Sequence, residues 1–522
     1  YNPLRANSME TLKRYLVPEG GRFHVDCLSG LTVALALIPE AIAFALVANV
    51  NPLVGLYAAF FMCLITAVIG GRPGMISGAT GSMAVVMVAL VSQHGLQYLF
   101  ATVVLTGIVQ IVIGLLRLGK LIRMMPKSVM VGFVNGLAII IFLAQLHQFK
   151  IIGPDGSVEW LQGNILYLMI GLVILAMAIT HYLPKFTKAV PSALAAIVVV
   201  SLIVFFGGIH TRVVADMMGG HSMSAAFPSF AIPNIPLNLH TLSIIVPYAL
   251  ILAIIGLSES LMTLSLIDER TQTRGNGNKE CIAQGIGNIV SGFFKSMGGC
   301  AMIGQSMINI TSGGRGRLSG IVAGIFLLLF IILLWPLIKM IPLAALVGVM
   351  FMVVIETFEW ATFKFIRKIP FHDALIIIVV MAVTVATDLA IAVVIGVVMA
   401  SLVFAWQTAK NIYAEEEVEK ETKSYTLHGP LFFGSITNFK TLFAPQSDPK
   451  DVIIDFKHSR VADHSAIDAI KYIADQYTQL GKTLHLRHLS LECKALLGRA
   501  GNMVEVNMLE DPDYHVATDK LG

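Results

Sequence analysis

Two acidic residues lie inside long apolar stretches, where a carboxylate can bind a proton or a metal cation. Glu40 follows a proline, and Glu259 lies between two serines, one helical turn before Thr263. An ionised carboxylate at the centre of a membrane helix costs about 2.5–3.5 kcal/mol on insertion scales and is a functional candidate by default. We therefore predict that Glu40 and Glu259 couple the protein to a cation. The alternative is a structural hydrogen bond to a neighbouring helix end.

A second feature is a pair of glycine-rich interruptions in apolar segments. Residues 70–82 read GGRPGMISGATGS, and residues 297–306 read MGGCAMIGQS. Transporters with two inverted repeats carry such interruptions at corresponding positions, where half-helix N-termini of about half a positive charge each face a shared site. We expect this pair to bind a small anion through backbone N–H groups and small side chains, because 75–92 and 296–311 contain no Lys or Arg. The alternative is that the glycines only permit close helix packing.

The composition requires that these residues be positioned by membrane helices. The chain has 522 residues, of which 56% are hydrophobic and 13% charged, and its mean hydropathy is +0.78. A soluble domain carries about 25% charged residues, and no soluble core could cover this much apolar surface. The scattered basic residues do not form a nucleic-acid footprint. The five cysteines show no disulfide or zinc spacing, so we expect no metal site and no cofactor.

Fourteen apolar segments are predicted to cross the membrane, in two groups of seven. Several are short or interrupted, which is tolerated where a broken helix lies inside the protein. The first group lies at 27–48, 53–70, 75–93, 96–116, 128–147, 163–183 and 190–208. The second group lies at 242–267, 281–294, 297–311, 318–338, 342–356, 372–387 and 389–407.

The basic residues orient these segments. They concentrate in the N-terminal segment 1–26 and in the even-numbered loops, whereas the odd-numbered loops contain few: Lys150, Arg212, Lys295 and Lys339. By the positive-inside rule both termini are cytoplasmic, which requires an even number of crossings. We expect a multi-pass membrane protein, with residues 27–408 as its membrane domain.

The sequence pattern changes after residue 408. Residues 409–423 contain a run of glutamates and are predicted to be a charged linker, and residues 424–522 have a soluble composition. Strand patterns alternate with helix patterns there, which indicates a small cytoplasmic α/β domain. The strands are expected at 425–434, 451–456 and 483–489, and the helices at 436–443, 465–480 and 492–500.

Five motifs follow one another in the membrane domain: ALIPEAIAFA at 36–45, PLVGLY at 52–57, SGATGSM at 77–83, GIGNI at 285–289 and GGRGRLSG at 313–320. In this order they resemble the motifs of the sulfate permease family (SulP), bacterial relatives of the animal solute-carrier anion exchangers, which implies a location in a bacterial inner membrane. The C-terminal region, through 452–456 and DHSAI at 463–467, resembles a STAS domain, similar to anti-sigma-factor antagonists.

The resemblance implies an all-α polytopic membrane domain of two interlocked seven-helix inverted repeats, followed by an α/β STAS domain. Segments 1–4 and 8–11 would form a mobile core that slides past a gate of segments 5–7 and 12–14 in an elevator movement, and homodimers are usual. Carried over by position, the anion site is Thr80, Gly81 and Ser82 facing Cys300, Ala301, Met302 and Ile303.

Two positions depart from the family pattern. Sodium-coupled bicarbonate members have a threonine where Ile303 stands, and isoleucine offers no oxygen ligand for sodium. Animal exchangers have an arginine where Gln305 stands. Glu259 and Thr263 therefore remain only a weak sodium candidate, and Glu259 is favoured as a group that takes up a proton.

The leading function is secondary transport of a small inorganic or carboxylate anion, favoured as proton symport. Sodium-coupled bicarbonate symport and anion exchange are alternatives, followed by a nucleobase permease and a membrane-anchored sensor. An enzyme is least supported, because no nucleophile–base motif or phosphate loop stands out. Sulfate, bicarbonate, chloride and dicarboxylates are not distinguished by the sequence. Ser465 matches a phosphorylated STAS position, where a cytoplasmic regulator would act, although the helix-cap interpretation is favoured.

Overall fold

The structure is a computed structural model that divides into two compact units. It describes residues 23–119, 126–152, 158–187, 190–218, 227–236, 238–387, 389–419, 421–489 and 505–506. One unit extends to Gly396, and the other begins at Val397. Most of the segment 1–26 lies outside the described residues, as does the helix predicted at 492–500.

Fourteen helices in the described part of the chain match the fourteen predicted segments. Those of the first half are α1 Phe23–Val47, α2 Pro52–Ile69, α3 Gly81–His94, α4 Leu96–Leu115, α5 Lys127–Leu146, α6 Gly163–Phe186 and α7 Ser192–Phe206. Those of the second half are α8 Leu239–Thr271, α9 Gly277–Phe293, α10 Ile303–Thr311, α11 Arg317–Ile338, α12 Leu343–Thr357, α13 Phe371–Ala386 and α14 Leu389–Ala409. A single helical turn at Ala361–Phe365 was not predicted.

Eight of these helices are long and apolar enough to cross a membrane: α1, α2, α4, α5, α6, α8, α11 and α12. Four shorter apolar helices lie within the described residues as well. The chain is therefore a multi-pass membrane protein, and the number of fourteen crossings stays a prediction.

The two interrupted segments begin as extended backbone rather than as helix. Strand β1 (Ser77–Gly78) precedes α3, and strand β4 (Cys300–Ala301) precedes α10. The two strands pair antiparallel, with Ser77 opposite Ala301 and Gly78 opposite Cys300. The predicted segments 75–93 and 297–311 are therefore helical only from Gly81 and Ile303, because glycine disfavours helix at both starts. The other short pair in this unit is the hairpin β2 (Lys150–Ile152) and β3 (Val158–Trp160).

Contacts between glycines bring α4 and α9 close together. A Cβ atom on Gly107 would lie 2.3 Å from the carbonyl oxygen of Gly285, and a Cβ on Gly285 would lie 2.5 Å from that of Gly107. Any side chain at either position would push the helices apart. This reciprocal contact is the close backbone approach that small residues permit in membrane proteins.

The second unit contains a five-stranded sheet in the order β5-β6-β7-β8-β9. The first pair of strands is antiparallel and the other pairs are parallel. The core contains Tyr425, Phe456 and Tyr477, and the predicted α/β domain is confirmed. Its elements are β5 Tyr413–Glu419, β6 Thr422–Leu431, α15 Ile436–Thr441, β7 Asp451–Val461, α16 His464–Gln479, β8 Thr483–Arg487 and β9 Glu505–Val506.

The predicted charged linker at 409–423 is corrected by the structure. Strand β5 occupies Tyr413–Glu419 and pairs with β6 along its whole length. Glutamate is depleted in strands, so the sequence pattern pointed to a linker. An edge strand nevertheless tolerates exposed charges, because they prevent further strands from pairing with it.

Candidate functional site

The antiparallel β1–β4 pair brings the segments that lead into α3 and α10 into contact. Thr80 and Met302 precede the two helices, both have extended backbones, and neither side chain caps its own helix. The first N–H groups of a helix have no partner within the helix. Two helix N-termini without side-chain caps therefore follow this strand pair, where the sequence predicted an anion site.

Glu259 joins both halves of this site. The Ser82 hydroxyl, in the first turn of α3, donates to Glu259 Oε2, and the Cys300 thiol of β4 donates to the same oxygen at 3.2 Å. Thr80 Oγ1 and Cys300 Sγ are also 3.2 Å apart. The neighbouring Ser260 hydroxyl accepts the N–H of Ala301 at 3.1 Å. One turn of α8 thus contacts both broken segments.

The site is closed on one side and open on the other. A Cβ atom on Gly81 would lie 2.8 Å from the Phe44 ring and 2.9 Å from Ile141. In contrast, Ile303 is 36% exposed, and a Cβ atom on Gly304 would meet nothing within 4 Å. The remaining predicted residues are buried, namely Thr80, Ser82, Cys300, Ala301 and Met302. The open face therefore lies at the N-terminus of α10.

Thr263 does not extend the carboxylate cluster. It is buried, and its hydroxyl donates to the backbone oxygen of Glu259 at 2.8 Å. Among the described residues, no group of three or more His, Cys, Asp and Glu side chains is arranged to hold a metal ion.

Glu40 makes the counterpart of the Glu259 contact. Gln305, in the first turn of α10, donates its Nε2 to Glu40 Oε1 at 2.6 Å. Each first-segment carboxylate thus contacts the broken helix of the opposite half: α1 contacts α10, and α8 contacts α3. From the sequence, Gln305 was recognised only as a departure from the exchangers. Gln305 lies in the third segment of its half, as Ser82 does in the other half, and this correspondence was the available signal.

Polar residues of α9 support the β1–β4 pair, and they were not predicted as functional residues from the sequence. Asn288 belongs to the GIGNI motif, and its side chain bonds both the N–H and the carbonyl oxygen of Gly299. Gln284, one turn earlier, donates to the Ser77 hydroxyl at 2.8 Å. Their shared spacing of four residues was the signal that could have placed them on one helix face.

Asp463, rather than Ser465, is the cap of α16. Its carboxylate accepts the N–H of Ala466 at 2.9 Å and that of Phe433 at 2.7 Å. Ser465 follows inside the first helical turn and is half-buried. The favoured helix-cap interpretation of this motif therefore applies to its aspartate.

Comparison with known families matches two parts of the chain. The family described as "Sulfate permease family" matches residues 23–380, and the STAS domain matches residues 413–511. The YbaR protein of Bacillus subtilis, named as a candidate sulfate transporter, is 44% identical over 91% of this chain and 97% of its own length. The bicarbonate transporter BicA of Picosynechococcus sp. is 33% identical over 75% of this chain and 71% of its own.

Solved structures give the same result. The transmembrane domain of a cyanobacterial bicarbonate transporter BicA aligns with a TM-score of 0.62 and 31% identity, over 71% of this chain and 97% of that chain. The murine Slc26a9 anion transporter in its inward-facing state aligns with a TM-score of 0.79 over 94% of this chain and 89% of that chain. At 18% identity the second likeness shows the fold alone. The sequence match and the fold agree with the predicted site at the two interrupted segments. The chain belongs to the sulfate permease family and carries a C-terminal STAS domain.

Proposed function

We propose that this protein is a secondary active transporter that takes up a small anion together with a proton. The observation that carries the proposal is the position of Glu259, whose carboxylate accepts hydrogen bonds from Ser82 and Cys300 on the two opposed broken segments. A group that contacts both halves of an anion site senses whether that site is occupied. The family membership supports transport rather than catalysis or sensing.

The anion would bind to helix ends rather than to basic side chains. Two N-termini of about half a positive charge each attract a small anion. The open face at Ile303 and Gly304 gives access to it. Bicarbonate and sulfate are the first candidates, because BicA is a bicarbonate transporter and YbaR is named as a candidate sulfate transporter.

The proton would make anion binding favourable. An ionised Glu259 places a negative charge beside the anion, in an environment where water does not screen it. A proton on Glu259 removes that repulsion, so proton and anion each strengthen the binding of the other. Sodium would need oxygen ligands in this place. Ile303 offers none, so sodium is the less favoured cation.

Alternating access would follow an elevator movement of a core past a gate. The helix packing supports this division: α9 packs on α4, and α11 packs on α1 and α2, all within the proposed core. Likewise α13 packs on α5, and α12 packs on α5 and α6, within the proposed gate. We also propose that the protein is a homodimer of the bacterial inner membrane with both termini in the cytoplasm, and that Ser465 is a candidate regulatory site.

Uptake into proteoliposomes tests the coupling. Labelled bicarbonate and labelled sulfate are each supplied under an imposed pH gradient or an imposed sodium gradient. We expect uptake to rise with external acidity and to be unchanged when sodium is removed. Uptake that strictly requires sodium at constant pH would contradict proton coupling, and flux that no cation gradient drives would favour exchange.

The variant Glu259→Gln tests the coupling residue. Its amide mimics the protonated acid, so gradient-driven accumulation should be lost while anion binding or exchange remains. Glu269→Gln is the matched control, since Glu269 lies on the same helix, α8, with an exposed side chain. A Glu259→Gln transporter that accumulates anion as well as this control would refute the role of Glu259.

A further inference from the structure

Helix α9 carries a row of buried polar side chains. Glu280, Gln284 and Asn288 follow each other at intervals of four residues, and they are 1%, 0% and 0% exposed, respectively. Helix α2, the second segment of the first half, contains no Asn, Gln, Asp or Glu. Buried polar groups of this kind are costly unless they are hydrogen-bonded, so their partners indicate what they stabilise.

The first partners lie on the segment that leads into α3. Gln284 Nε2 donates to Ser77 Oγ of β1 at 2.8 Å and to Glu280 Oε1 at 2.8 Å. The other oxygen of Glu280 accepts the N–H of Gly71 at 2.7 Å. Glu280 and Gln284 therefore hold the segment that leads into α3 at two points, Gly71 and Ser77.

The second partners lie on the segment that leads into α10. Asn288 Oδ1 accepts the N–H of Gly299 at 2.9 Å, and its Nδ2 donates to the Gly299 carbonyl oxygen at 3.0 Å. The same Nδ2 donates to Gln110 Oε1 of α4 at 2.9 Å. The fit is close, because a Cβ atom on Gly298 would lie 2.4 Å from Asn288 Oδ1. Gly298 also has a φ of 70°, which favours glycine.

The two anchor points are equivalent. Ser77 lies three residues before the cap residue Thr80, and Gly299 lies three residues before the cap residue Met302. Helix α9 thus holds the segments that lead into α3 and α10 at the same number of residues before the two helices. Electrostatic binding by helix ends depends on their separation and direction, which these contacts fix.

We propose that Gln284 and Asn288 are positioning residues of the anion site, which set the separation of the α3 and α10 N-termini without touching the anion. This inference rests on the proposed function. It goes beyond the satisfaction of buried polar groups, which would affect folding stability but not anion affinity.

The test compares Gln284→Ala and Asn288→Ala with a matched control in the same unit. Asn135 of α5 is also buried, at 1% exposure. Its Oδ1 accepts the N–H of Glu359 at 2.8 Å, and its Nδ2 donates to Thr362 Oγ1 at 3.2 Å. Asn135→Ala therefore removes equivalent hydrogen bonds at a place away from the β1–β4 pair. Each full-length protein is purified, and the Kd values for bicarbonate and for sulfate are measured together with the Tm in the absence of anion.

We expect all three variants to lower the Tm. The Kd of the bound anion should rise about tenfold or more in the two α9 variants and stay within about twofold of wild type in Asn135→Ala. Ser77→Ala provides a milder variant, because it removes only the hydroxyl that accepts from Gln284. It should also weaken binding, and it decides the outcome if the α9 variants do not fold.

Two results would contradict the inference, and they are distinguishable. A lowered Tm with wild-type Kd values in Gln284→Ala and Asn288→Ala, or in Ser77→Ala when the α9 variants do not fold, would show that these residues only satisfy buried groups. Wild-type protein that binds neither bicarbonate nor sulfate would contradict the proposed function, and with it the inference.

Discussion

At the scale of single residues, Asp448 holds a buried charge because three donors surround its side chain. Lys423 Nζ lies 2.9 Å from Oδ1, and the hydroxyls of Tyr425 and Tyr477 lie 2.8 Å and 2.5 Å from Oδ2. Burial alone would raise the pKa of Asp448, but the bonds from Lys423, Tyr477 and Tyr425 outweigh it and hold the pKa below its usual range. The charge therefore stabilises the fold of the STAS domain.

The variant Asp448→Asn should destabilise the separately expressed tail (residues 410–522) by about 2–3 kcal/mol at pH 7, because it removes bonds to a charged group. A depressed pKa contributes stability that is present above the unfolded value of about 3.9 and is lost as the pH falls through the folded value. Urea unfolding at pH 7, 5 and 3 should therefore show a weaker acid destabilisation in the variant than in wild type.

The control for this prediction is Asp468→Asn. The Asp468 side chain is 68% exposed, so its loss should change the unfolding free energy by less than about 0.5 kcal/mol. Identical pH profiles for Asp448→Asn and wild type would show that Asp448 is not the group responsible.

The membrane carboxylates show which part of the site could be predicted from sequence. Glu40 and Glu259 were identifiable because the cost of a charge in an apolar segment depends on that segment alone. Their partners were not, since Ser82 lies 177 residues from Glu259 and Gln305 lies 265 residues from Glu40. Those contacts depend on how the two halves interlock.

At the scale of elements, the glycine-rich interruptions were predictable but the strand pair between them was not. Glycine disfavours helix wherever it occurs, so the breaks followed from local sequence. Strands β1 and β4 have two residues each, which is too short for any alternation of side chains to appear. Their pairing requires close backbone approach: a Cβ atom on Gly299 would lie 1.9 Å from the carbonyl oxygen of Gly78.

The variant Gly299→Ala should separate these strands. Backbone atoms cannot yield as a side chain does, so we expect a loss of more than about 2 kcal/mol in stability and an anion Kd raised at least tenfold. Gly171→Ala is the control, because a Cβ there meets nothing within 4 Å and alanine suits the interior of α6. Thermal unfolding and anion binding measure both effects. If Gly299→Ala protein bound anion with wild-type affinity, the β1–β4 pairing would not determine the geometry of the anion site.

At the scale of the whole molecule, the helix bounds were largely predictable and the edge of the tail was not. A long apolar run ends where polar residues begin, so α1 and α8 lie close to the segments predicted at 27–48 and 242–267. Strand β5 carries mostly exposed glutamates, and its pairing with β6 rather than its own composition makes it a strand. Such a strand cannot be predicted from the composition of its own segment.

The division into two units predicts that the membrane unit binds anion alone. Every contact described for the anion site comes from residues before Gly396, where the first unit ends. Truncation after Ala409, the last residue of α14, should therefore leave a folded protein whose anion Kd stays within about twofold of the full chain, while the rate of flux or the membrane delivery is free to change. Binding titrations and proteoliposome uptake on both proteins measure these quantities. Loss of all anion binding in a truncated protein that still unfolds cooperatively would mean that the tail completes the site.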